Sequence, residues 1–251
     1  MARHDLKGRH VVVTGASSGI GAALAVELGR RGAKVGLLAR RADKLDEVRA
    51  EVAATGAEVA VAAADVSDWA ATEAAFAELT AALGPVYGAV ANAGIGAPTK
   101  GGRVVAERDA QVIAINVIGV IHTFAAAQPA MLAAGDGFLC AVSSVAAWRG
   151  LPGFAAYSAS KAAVSTFTES LSLKRSGLSV ITVHPAFVRT PLTAANRKMP
   201  FLVEADAAAR TIADGLERGK RQVNFPWQMV LGMRLAQALP DWLYHLLASR
   251  G

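Results

Sequence analysis

The sequence predicts an α/β fold in which one parallel β-sheet is covered by helices on both faces. Short apolar runs alternate with amphipathic stretches throughout the 251 residues, a pattern typical of a doubly wound sheet with right-handed crossovers. Several runs are nearly continuous in Val, Ile and Leu, as expected for parallel strands buried on both faces. The chain is long enough for one core and contains no repeat or low-complexity linker. We therefore expect a single domain over residues 1–251.

The individual elements follow from hydrophobic periodicity and from the Gly, Pro and polar breaks between the runs. The predicted strands are Arg9–Thr14, Ala33–Ala39, Glu58–Ala63, Val86–Ala91, Gly137–Ser143 and Ser179–Val183, with Gln222–Phe225 as a seventh candidate. The predicted helices are Ile20–Arg31, Ala42–Thr55, Trp69–Leu83, Arg103–Leu132, Ala155–Ser176 and Ala205–Arg218.

One predicted helix contains a run that resembles a membrane span. The stretch from Ala110 to Gly135 has no formal charge and is long enough to cross a bilayer. It contains polar residues, among them Gln111 and His122, and it lies between predicted strands. We therefore expect a helix that is buried against the sheet.

Composition and charge exclude some classes of function. Hydrophobic residues make up 53% of the chain and charged residues 18%, which is a globular composition. The formal net charge is +6, but Lys and Arg are scattered and lack the aromatic interleaving of single-strand binders, so we expect no nucleic-acid partner. The single cysteine, Cys140, cannot form an internal disulfide, and no secretory signal is visible. We therefore expect a cytoplasmic protein, and we expect no metal site.

A glycine-rich loop follows the first predicted strand and opens the first predicted helix. Residues 14–21 read Thr-Gly-Ala-Ser-Ser-Gly-Ile-Gly. Glycines permit a tight turn and let the backbone approach a pyrophosphate, while a helix N-terminus supplies free N–H groups and a favourable dipole. The spacing differs from the Gly-x-Gly-x-x-Gly of most dinucleotide folds. Its place after the first strand nevertheless indicates a dinucleotide cofactor.

Together with motifs further along the chain, this loop resembles that of the short-chain dehydrogenase/reductase family. The resemblance covers Gly8 to Arg221 and implies a Rossmann-type sheet that binds a nicotinamide cofactor. The cofactor-binding residues that it implies are Gly15, Ser17, Ser18, Gly19, Ile20, Gly21, Asp65, Val66, Asn92, Ala93, Gly94, Tyr157, Lys161, Pro185, Val188 and Thr190. Taken alone, Asp65 is equally explained as a helix cap, and the Asn-Ala-Gly sequence of residues 92–94 as an ordinary turn.

The end of the second predicted strand favours NADP over NAD. An acidic residue there would accept hydrogen bonds from the 2′-hydroxyl of NAD and would repel the 2′-phosphate of NADP. The sequence instead reads Leu-Leu-Ala-Arg-Arg over residues 37–41. Arg40 can pair with the phosphate through charge-assisted hydrogen bonds, so we expect NADP(H) as the cofactor. The alternative is that Arg40 and Arg41 only solvate a loop.

Tyr157 and Lys161 form the most informative pair in the chain. Residues four apart lie on one face of a helix, so the two side chains can share a ligand. A phenol titrates near ~10, and a nearby ammonium stabilises the phenolate. We therefore expect the Tyr157 pKa to be lowered toward the range useful for proton transfer. The bare Tyr-x-x-x-Lys pattern is common by chance, but here it accompanies the glycine loop and a serine, Ser144, thirteen positions earlier.

The resemblance implies four catalytic residues. Tyr157 protonates the substrate oxygen, and Lys161 holds the nicotinamide ribose. Ser144, rather than Ser143, hydrogen-bonds the substrate oxygen. Asn116 holds a kink in its helix and a water that links the lysine to solvent. The alternative for Asn116 is that it only packs within an apolar helix.

The implied activity is the NADP(H)-dependent interconversion of a carbonyl and an alcohol by hydride transfer. We expect an apolar ketone, aldehyde or secondary alcohol as the substrate. A β-ketoacyl thioester reductase is an alternative, although the chain lacks the Gly-rich ending typical of such reductases. A non-catalytic NADPH-binding regulator is another, although relatives of that kind usually lack the Tyr or the Lys.

Two C-terminal regions differ from the rest of the chain. Residues 186–220 correspond to the family's variable substrate lid, and residues 222–251 form an apolar tail. Candidate pocket-wall residues, which suit core positions equally well, are Ala146, Trp148, Leu151, Phe154, Phe187, Leu192, Met199 and Phe201. The tail, with Trp227 and Trp242, suits a cap over the pocket, a dimer contact, a peripheral membrane contact or plain packing on the domain. We also expect a homo-oligomer, either a dimer or a tetramer.

Overall fold

The sheet has seven parallel strands in the order β3-β2-β1-β4-β5-β6-β7. It is seen in a computed structural model that describes residues 3–173, 177–194, 196 and 198–248. The strands are β1 His10–Thr14, β2 Lys34–Ala39, β3 Val59–Ala63, β4 Val86–Ala91, β5 Phe138–Val142, β6 Ser179–Pro185 and β7 Gln222–Phe225. The predicted doubly wound sheet is therefore confirmed, and the seventh candidate strand is part of it.

Helices cover both faces of the sheet. They are α1 Gly19–Arg30, α2 Ala42–Ala53, α3 Trp69–Leu83, α4 Ala106–Ile113, α5 Gly119–Ala134, α6 Ala155–Ser172, α7 Ala205–Glu217, α8 Trp227–Ala238 and α9 Asp241–Ala248. Most predicted bounds are within three residues of these. The end of the helix predicted for Ala155–Ser176 lies partly outside the described residues. The helices α8 and α9 were not predicted.

The long predicted helix Arg103–Leu132 is interrupted by a π-helical turn. The turn spans Ala114–Ile118 and separates α4 from α5, while the helical path runs on without a loop. The whole path, Ala106–Ala134, is long and apolar enough to cross a membrane by length and composition. Val120, Phe124 and Met131 are nevertheless buried in the core on one face of the sheet. The helix thus packs as the sequence predicts.

The two faces of the sheet carry separate cores. One core contains side chains of α1, α2 and α7, with Leu24 and Ile212 fully buried. The other contains side chains of α3, α5 and α6, including Leu79 and Val164. Parallel pairing throughout the sheet places the carboxyl ends of all seven strands at one edge. In open α/β sheets this edge is where ligands bind.

Candidate active site

A cleft of about 300 Å³ runs along the carboxyl edge of the sheet. It brings together residues that the sequence analysis selected from seven separate segments. Of those residues, the following line it: Gly15, Ser17, Ser18, Gly19, Ile20, Arg40, Asp65, Val66, Asn92, Ala93, Gly94, Ser144, Tyr157, Lys161, Pro185, Val188 and Thr190. Among the selected catalytic and cofactor-binding residues, Gly21 and Asn116 do not line the cleft.

The glycine loop is shaped by positive φ angles and by close contact with the end of β4. Gly15 has φ of +64° and Gly19 of +59°, a region that L side chains rarely adopt. A Cβ atom on Gly15 would lie 2.7 Å from the Cα of Ala93. A Cβ atom on Gly21 would collide with the carbonyl oxygen of Gly15. Gly21 therefore lets the first turn of α1 pack on the loop, which explains why it does not line the cleft.

Two arginines lie at the end of the cleft beside β2. Arg41 donates from Nη2 to the hydroxyl oxygens of Ser17 and Ser18, at 3.0 and 3.1 Å. Arg40 pairs with Asp65 at 3.4 Å. Burial alone would raise the pKa of Asp65, but hydrogen bonds within the Asp65–Ser67 turn and the charge of Arg40 hold that pKa below its ordinary value. This end of the cleft is therefore cationic around a single ionised carboxylate.

The end of β4 is tied to the glycine loop. Asn92 donates from Nδ2 to the carbonyl oxygens of Thr14 and Gly15, at 2.9 and 3.3 Å. Gly94 follows at a crowded point, because a Cβ atom there would lie 3.3 Å from Oδ1 of Asn116 and 3.5 Å from Nζ of Lys161. The Asn-Ala-Gly segment thus fixes the loop at one end and makes room for the lysine at the other.

Tyr157 and Lys161 lie at the opposite end of the cleft, on the first two turns of α6. The ammonium of Lys161 is buried, donates to the carbonyl oxygen of Val142 at 2.8 Å, and lies 5.7 Å from the centroid of the Tyr157 ring. Burial lowers the pKa of Lys161 to about 8. The prediction that the Tyr157 pKa is lowered is wrong. Burial raises it, and the hydrogen bond with Ser144 offsets only part of the rise.

Ser144 and Ser143 follow β5 but face different partners. The hydroxyl of Ser143 donates to the backbone carbonyl oxygen of Lys161 and bonds with the hydroxyl of Ser165, so it is used inside the core. Ser144 interacts with the Tyr157 hydroxyl, and its Oγ donates to the carbonyl oxygen of Pro185 at 3.3 Å. The hydroxyl of Ser144 is therefore the one beside the tyrosine, as the resemblance implies.

Asn116 occupies the middle of the π-helical turn and is fully buried. Its Oδ1 accepts from the backbone N–H of Ile95 at 2.8 Å. Its Nδ2 donates to the Ile95 carbonyl oxygen and to Oγ of Ser160, each at 3.0 Å. Ser160 in turn donates to the carbonyl oxygen of Tyr157 at 2.7 Å. Asn116 therefore connects the irregular helix, the end of β4 and the helix that carries the tyrosine.

The region predicted as a lid closes one side of the cleft. Thr190 packs on Gly19, and Leu192 lines the cleft with its side chain close to Gly96. Val188 is buried and forms an isolated bridge with Val203.

The other candidate wall residues differ in their surroundings. Phe154 lies edge-to-face with Tyr157, with ring centroids 6.5 Å apart, whereas Ala146 is buried. Trp148 lies between the ring of His184 and the guanidinium of Arg234.

Sequence and structure comparisons identify the family. The family model for short chain dehydrogenase matches residues 9–200. The chain belongs to the short-chain dehydrogenase/reductase family. It is 42% identical over 249 residues to an uncharacterized oxidoreductase of Myxococcus xanthus, covering 98% of each chain.

Two solved structures share its fold. One is a short-chain dehydrogenase/reductase from Burkholderia phymatum in complex with NAD, with a TM-score of 0.86, 26% identity, and 93% of this chain and 94% of that chain covered. The other is an alcohol dehydrogenase from Thermococcus sibiricus complexed with 5-hydroxy-NADP, with a TM-score of 0.80, 25% identity, and 86% and 95% covered. As a short-chain dehydrogenase/reductase, the protein is an oxidoreductase that uses a nicotinamide cofactor and acts on a small molecule.

The geometry of the chain fits such a cofactor. The positive-φ glycines leave backbone exposed at the N-terminus of α1, the arginines supply cations at one end, and Tyr157 and Lys161 lie at the other.

Sequence reasoning missed two features of the site, the contact of Arg41 with the loop serines and the bridge through Ser160. The Arg-Arg pair was visible in the sequence. The role of Ser160 could not be recognised in the sequence, because serines are frequent in that segment.

Proposed function

We propose that the protein is an NADP(H)-dependent oxidoreductase that interconverts a carbonyl and an alcohol, on an apolar ketone, aldehyde or secondary alcohol. One observation carries the proposal. The Tyr157–Ser144 hydroxyl pair and the buried Lys161 lie at one end of the same cleft whose other end carries Arg40 and Arg41. A dinucleotide that occupies the cleft would have its phosphates at the glycine loop and its reactive ring beside the tyrosine.

The catalytic residues we propose are Asn116, Ser144, Tyr157 and Lys161. A bound nicotinamide supplies or accepts the hydride. In carbonyl reduction, the Tyr157 hydroxyl gives its proton to the substrate oxygen, and Ser144 donates a hydrogen bond to that oxygen. Burial holds the pKa of Tyr157 above its ordinary value, so the phenol is protonated at neutral pH but releases that proton less readily than a free phenol. In alcohol oxidation the proton moves in the opposite direction.

Lys161 and Asn116 support this proton transfer. Below pH about 8 the lysine is mostly protonated, so it places a positive charge beside the tyrosine and would hold the nicotinamide ribose. Asn116 holds the backbone of residue 95 and, through Ser160, the carbonyl group of Tyr157. Both N–H groups of its amide are used in these bonds, while Oδ1 accepts one hydrogen bond and has a second lone pair. We therefore propose that Asn116 fixes the positions of the catalytic side chains. We also propose that it determines the place at which Lys161 regains a proton.

We propose NADP(H) rather than NAD(H) because cations surround the place where a 2′-phosphate would bind. Arg40 and Arg41 both line the cleft. The strand β2 ends at Ala39 without a carboxylate, and Asp65, which follows the neighbouring strand β3, is paired with Arg40. A phosphate would replace the weak 3.4 Å contact with a stronger, charge-assisted one.

The substrate lid is residues 186–220 of the proposed single domain, and its side chains favour an apolar substrate. Leu192 lines the cleft near Tyr157, and Phe154 packs on the tyrosine ring. The catalytic set favours turnover over a purely regulatory role. A β-ketoacyl thioester remains the second candidate substrate, because a thioester chain would also meet these apolar side chains.

The assembly and location of the protein are proposals as well. The C-terminal tail carries exposed apolar side chains, and Trp227 and Trp242 are 70% and 69% exposed. Such side chains favour a surface that another molecule covers. We propose a cytoplasmic homo-oligomer in which this tail contacts a second copy or a membrane surface. Light scattering would measure the assembly, and flotation with anionic liposomes would detect the membrane contact. A monomer that does not float would contradict both.

The test of function is cofactor consumption with a panel of ketones, aldehydes and β-ketoacyl thioesters, measured with NADPH and again with NADH. We expect turnover of apolar carbonyls and a higher kcat/KM with NADPH. Equal rates with both cofactors would contradict the NADP assignment. Tight NADPH binding without turnover of any compound would contradict the catalytic proposal and support the regulator.

A further inference from the structure

The helices α8 and α9 are joined by residues 239 and 240, and we call this pair of helices the hairpin. Helix α8 lies against β7 and the turn Val145–Ala147, and the polar and ring contacts of the pair go to one short segment of the domain. The segment is Trp148, Arg149 and Gly150, in the connection between β5 and α6. Arg149 forms an ion pair with Asp241 at 2.6 Å, and its guanidinium lies 4.5 Å from the centroid of the Tyr244 ring. Three consecutive residues therefore provide the polar attachment for a C-terminal hairpin that was not predicted from sequence.

Two further contacts attach the hairpin to the same segment. The hydroxyl of Tyr244 donates to the carbonyl oxygen of Gly150 at 2.6 Å. The guanidinium of Arg234 lies 4.0 Å from the centroid of the Trp148 ring, whose tilted neighbour is His184. The first contact holds the backbone of the connection at Gly150, and the second holds the side chain of Trp148.

Along the chain, the contacted segment lies between Ser144 and Tyr157, which carry the two hydroxyl groups of the candidate active site. Towards the N-terminus, Ser144 caps the turn Val145–Ala147 by accepting from the backbone N–H of Ala146 at 3.1 Å. Towards the C-terminus, the N–H of Leu151 donates to Oγ of Ser158, the residue next to Tyr157. A shift of residues 148–150 would therefore pull on both hydroxyl-bearing positions.

We propose that the α8–α9 hairpin is a positioning element for the substrate side of the active site, with Arg149 as the positioning residue that fastens it. This inference rests on the proposed function. The hairpin holds the connection so that the Ser144 and Tyr157 hydroxyls converge on one substrate oxygen. The cofactor side of the cleft, formed by the glycine loop and the arginines, receives none of these contacts. Loss of the hairpin contacts should therefore weaken substrate binding and leave cofactor binding unchanged.

The main variant is Arg149→Glu, which places two carboxylates together and removes the contact with Tyr244. We expect KM for the carbonyl substrate to rise about fivefold or more, with the NADPH Kd within about twofold of wild type. The double variant Arg149→Glu/Asp241→Arg restores an ion pair of opposite polarity. We expect it to return KM to within about twofold of wild type.

A matched control is Lys34→Glu, which reverses one charge of the Lys34–Glu58 pair at the start of β2. We expect this variant to leave both KM and the NADPH Kd unchanged. A second readout is hydrogen–deuterium exchange of residues 144–158, which needs no turnover. We expect Arg149→Glu to increase exchange in this segment and the double variant to reverse the increase.

The outcomes separate the inference from the proposed function. Absence of turnover in the wild type would overturn the proposed function, and the exchange measurement would then decide the inference by itself. Unchanged exchange in Arg149→Glu would overturn the inference. In an active enzyme, an unchanged substrate KM, or an equal loss of cofactor affinity, would also overturn it.

Discussion

At the scale of single residues, neighbouring side chains of the same type have different partners. Ser143 bonds within the core while Ser144 interacts with Tyr157, although both follow the same strand. Arg40 pairs with Asp65, while Arg41 reaches the serines of the glycine loop. The resemblance selected Ser144 over Ser143, and the structure places Ser144 beside Tyr157. The contact of Arg41 with the loop serines was not predicted, because it depends on the direction of the side chain.

The arginine pair leads to a prediction about cofactor preference. Arg41→Ala removes the guanidinium that is held by the loop serines. We expect kcat/KM for NADPH to fall about tenfold to a hundredfold, because charge-assisted hydrogen bonds to the phosphate are lost, while the value for NADH changes less than about twofold. Arg40→Ala is expected to act in the same direction. Steady-state kinetics with both cofactors measures the effect.

The control for this prediction is Arg49→Ala, an exposed arginine of α2 that pairs with Asp46. It should leave the ratio of the two kcat/KM values unchanged. Equal losses for NADPH and NADH in Arg41→Ala would contradict a role in recognising the 2′-phosphate.

At the scale of elements, the seven strands were predictable because each is a short apolar run between clear breaks. The helix interruption at Ala114–Ile118 was not predictable from the pattern, because a π-helical turn is made within a continuous helix and no Gly or Pro break marks it in this apolar stretch. The resemblance implied a kink at Asn116, and the structure has the π-helical turn there. The hairpin α8–α9 was not predicted because its exposed Trp and Leu residues do not follow the pattern of a helix buried on a sheet.

The interruption leads to a prediction about stability and turnover together. Asn116→Ala would leave the partly buried N–H of Ile95 without its side-chain partner, at a cost of about 1–3 kcal/mol in the free energy of unfolding. We expect kcat to fall more than tenfold, because Ser160 and the backbone of Tyr157 lose their support. Urea unfolding and steady-state kinetics measure the two effects.

Thr123→Ala is the matched control in the same helical path. Thr123 is also fully buried and donates to the carbonyl oxygen of Gly119 at 2.7 Å. Its loss should reduce stability by about 1 kcal/mol and leave kcat unchanged. A normal kcat in Asn116→Ala would mean that the π-helical turn serves packing only.

At the scale of the whole molecule, stability depends on pH through His184, a buried histidine of β6. His184 bonds to Ser165 at 3.0 Å and to Asn224 at 2.9 Å, beneath the ring of Trp148. Burial lowers its pKa to about 4 in the folded protein, whereas an unfolded histidine titrates near 6.5. The neutral ring therefore stabilises the fold fully above pH about 6.5, and this contribution is lost as the pH falls through about 4.

The resulting prediction compares the wild type with His184→Gln. Between pH 7 and 5 the free energy of unfolding of the wild type should fall by about 2 kcal/mol more than that of the variant, because only the unfolded wild type gains the proton. Urea unfolding at a series of pH values measures the difference. Parallel pH dependence in the two proteins would show that His184 titrates normally.

The most direct test of the account is the comparison of Tyr157→Phe with the wild type in carbonyl reduction and in NADPH binding. The substitution keeps the ring that packs on Phe154 and removes only the hydroxyl. We expect kcat to fall at least ~100-fold, because the proton donor is lost, with the NADPH Kd within about twofold of wild type. Turnover at a wild-type rate would contradict the assignment of Tyr157 as the catalytic acid and with it the proposed mechanism.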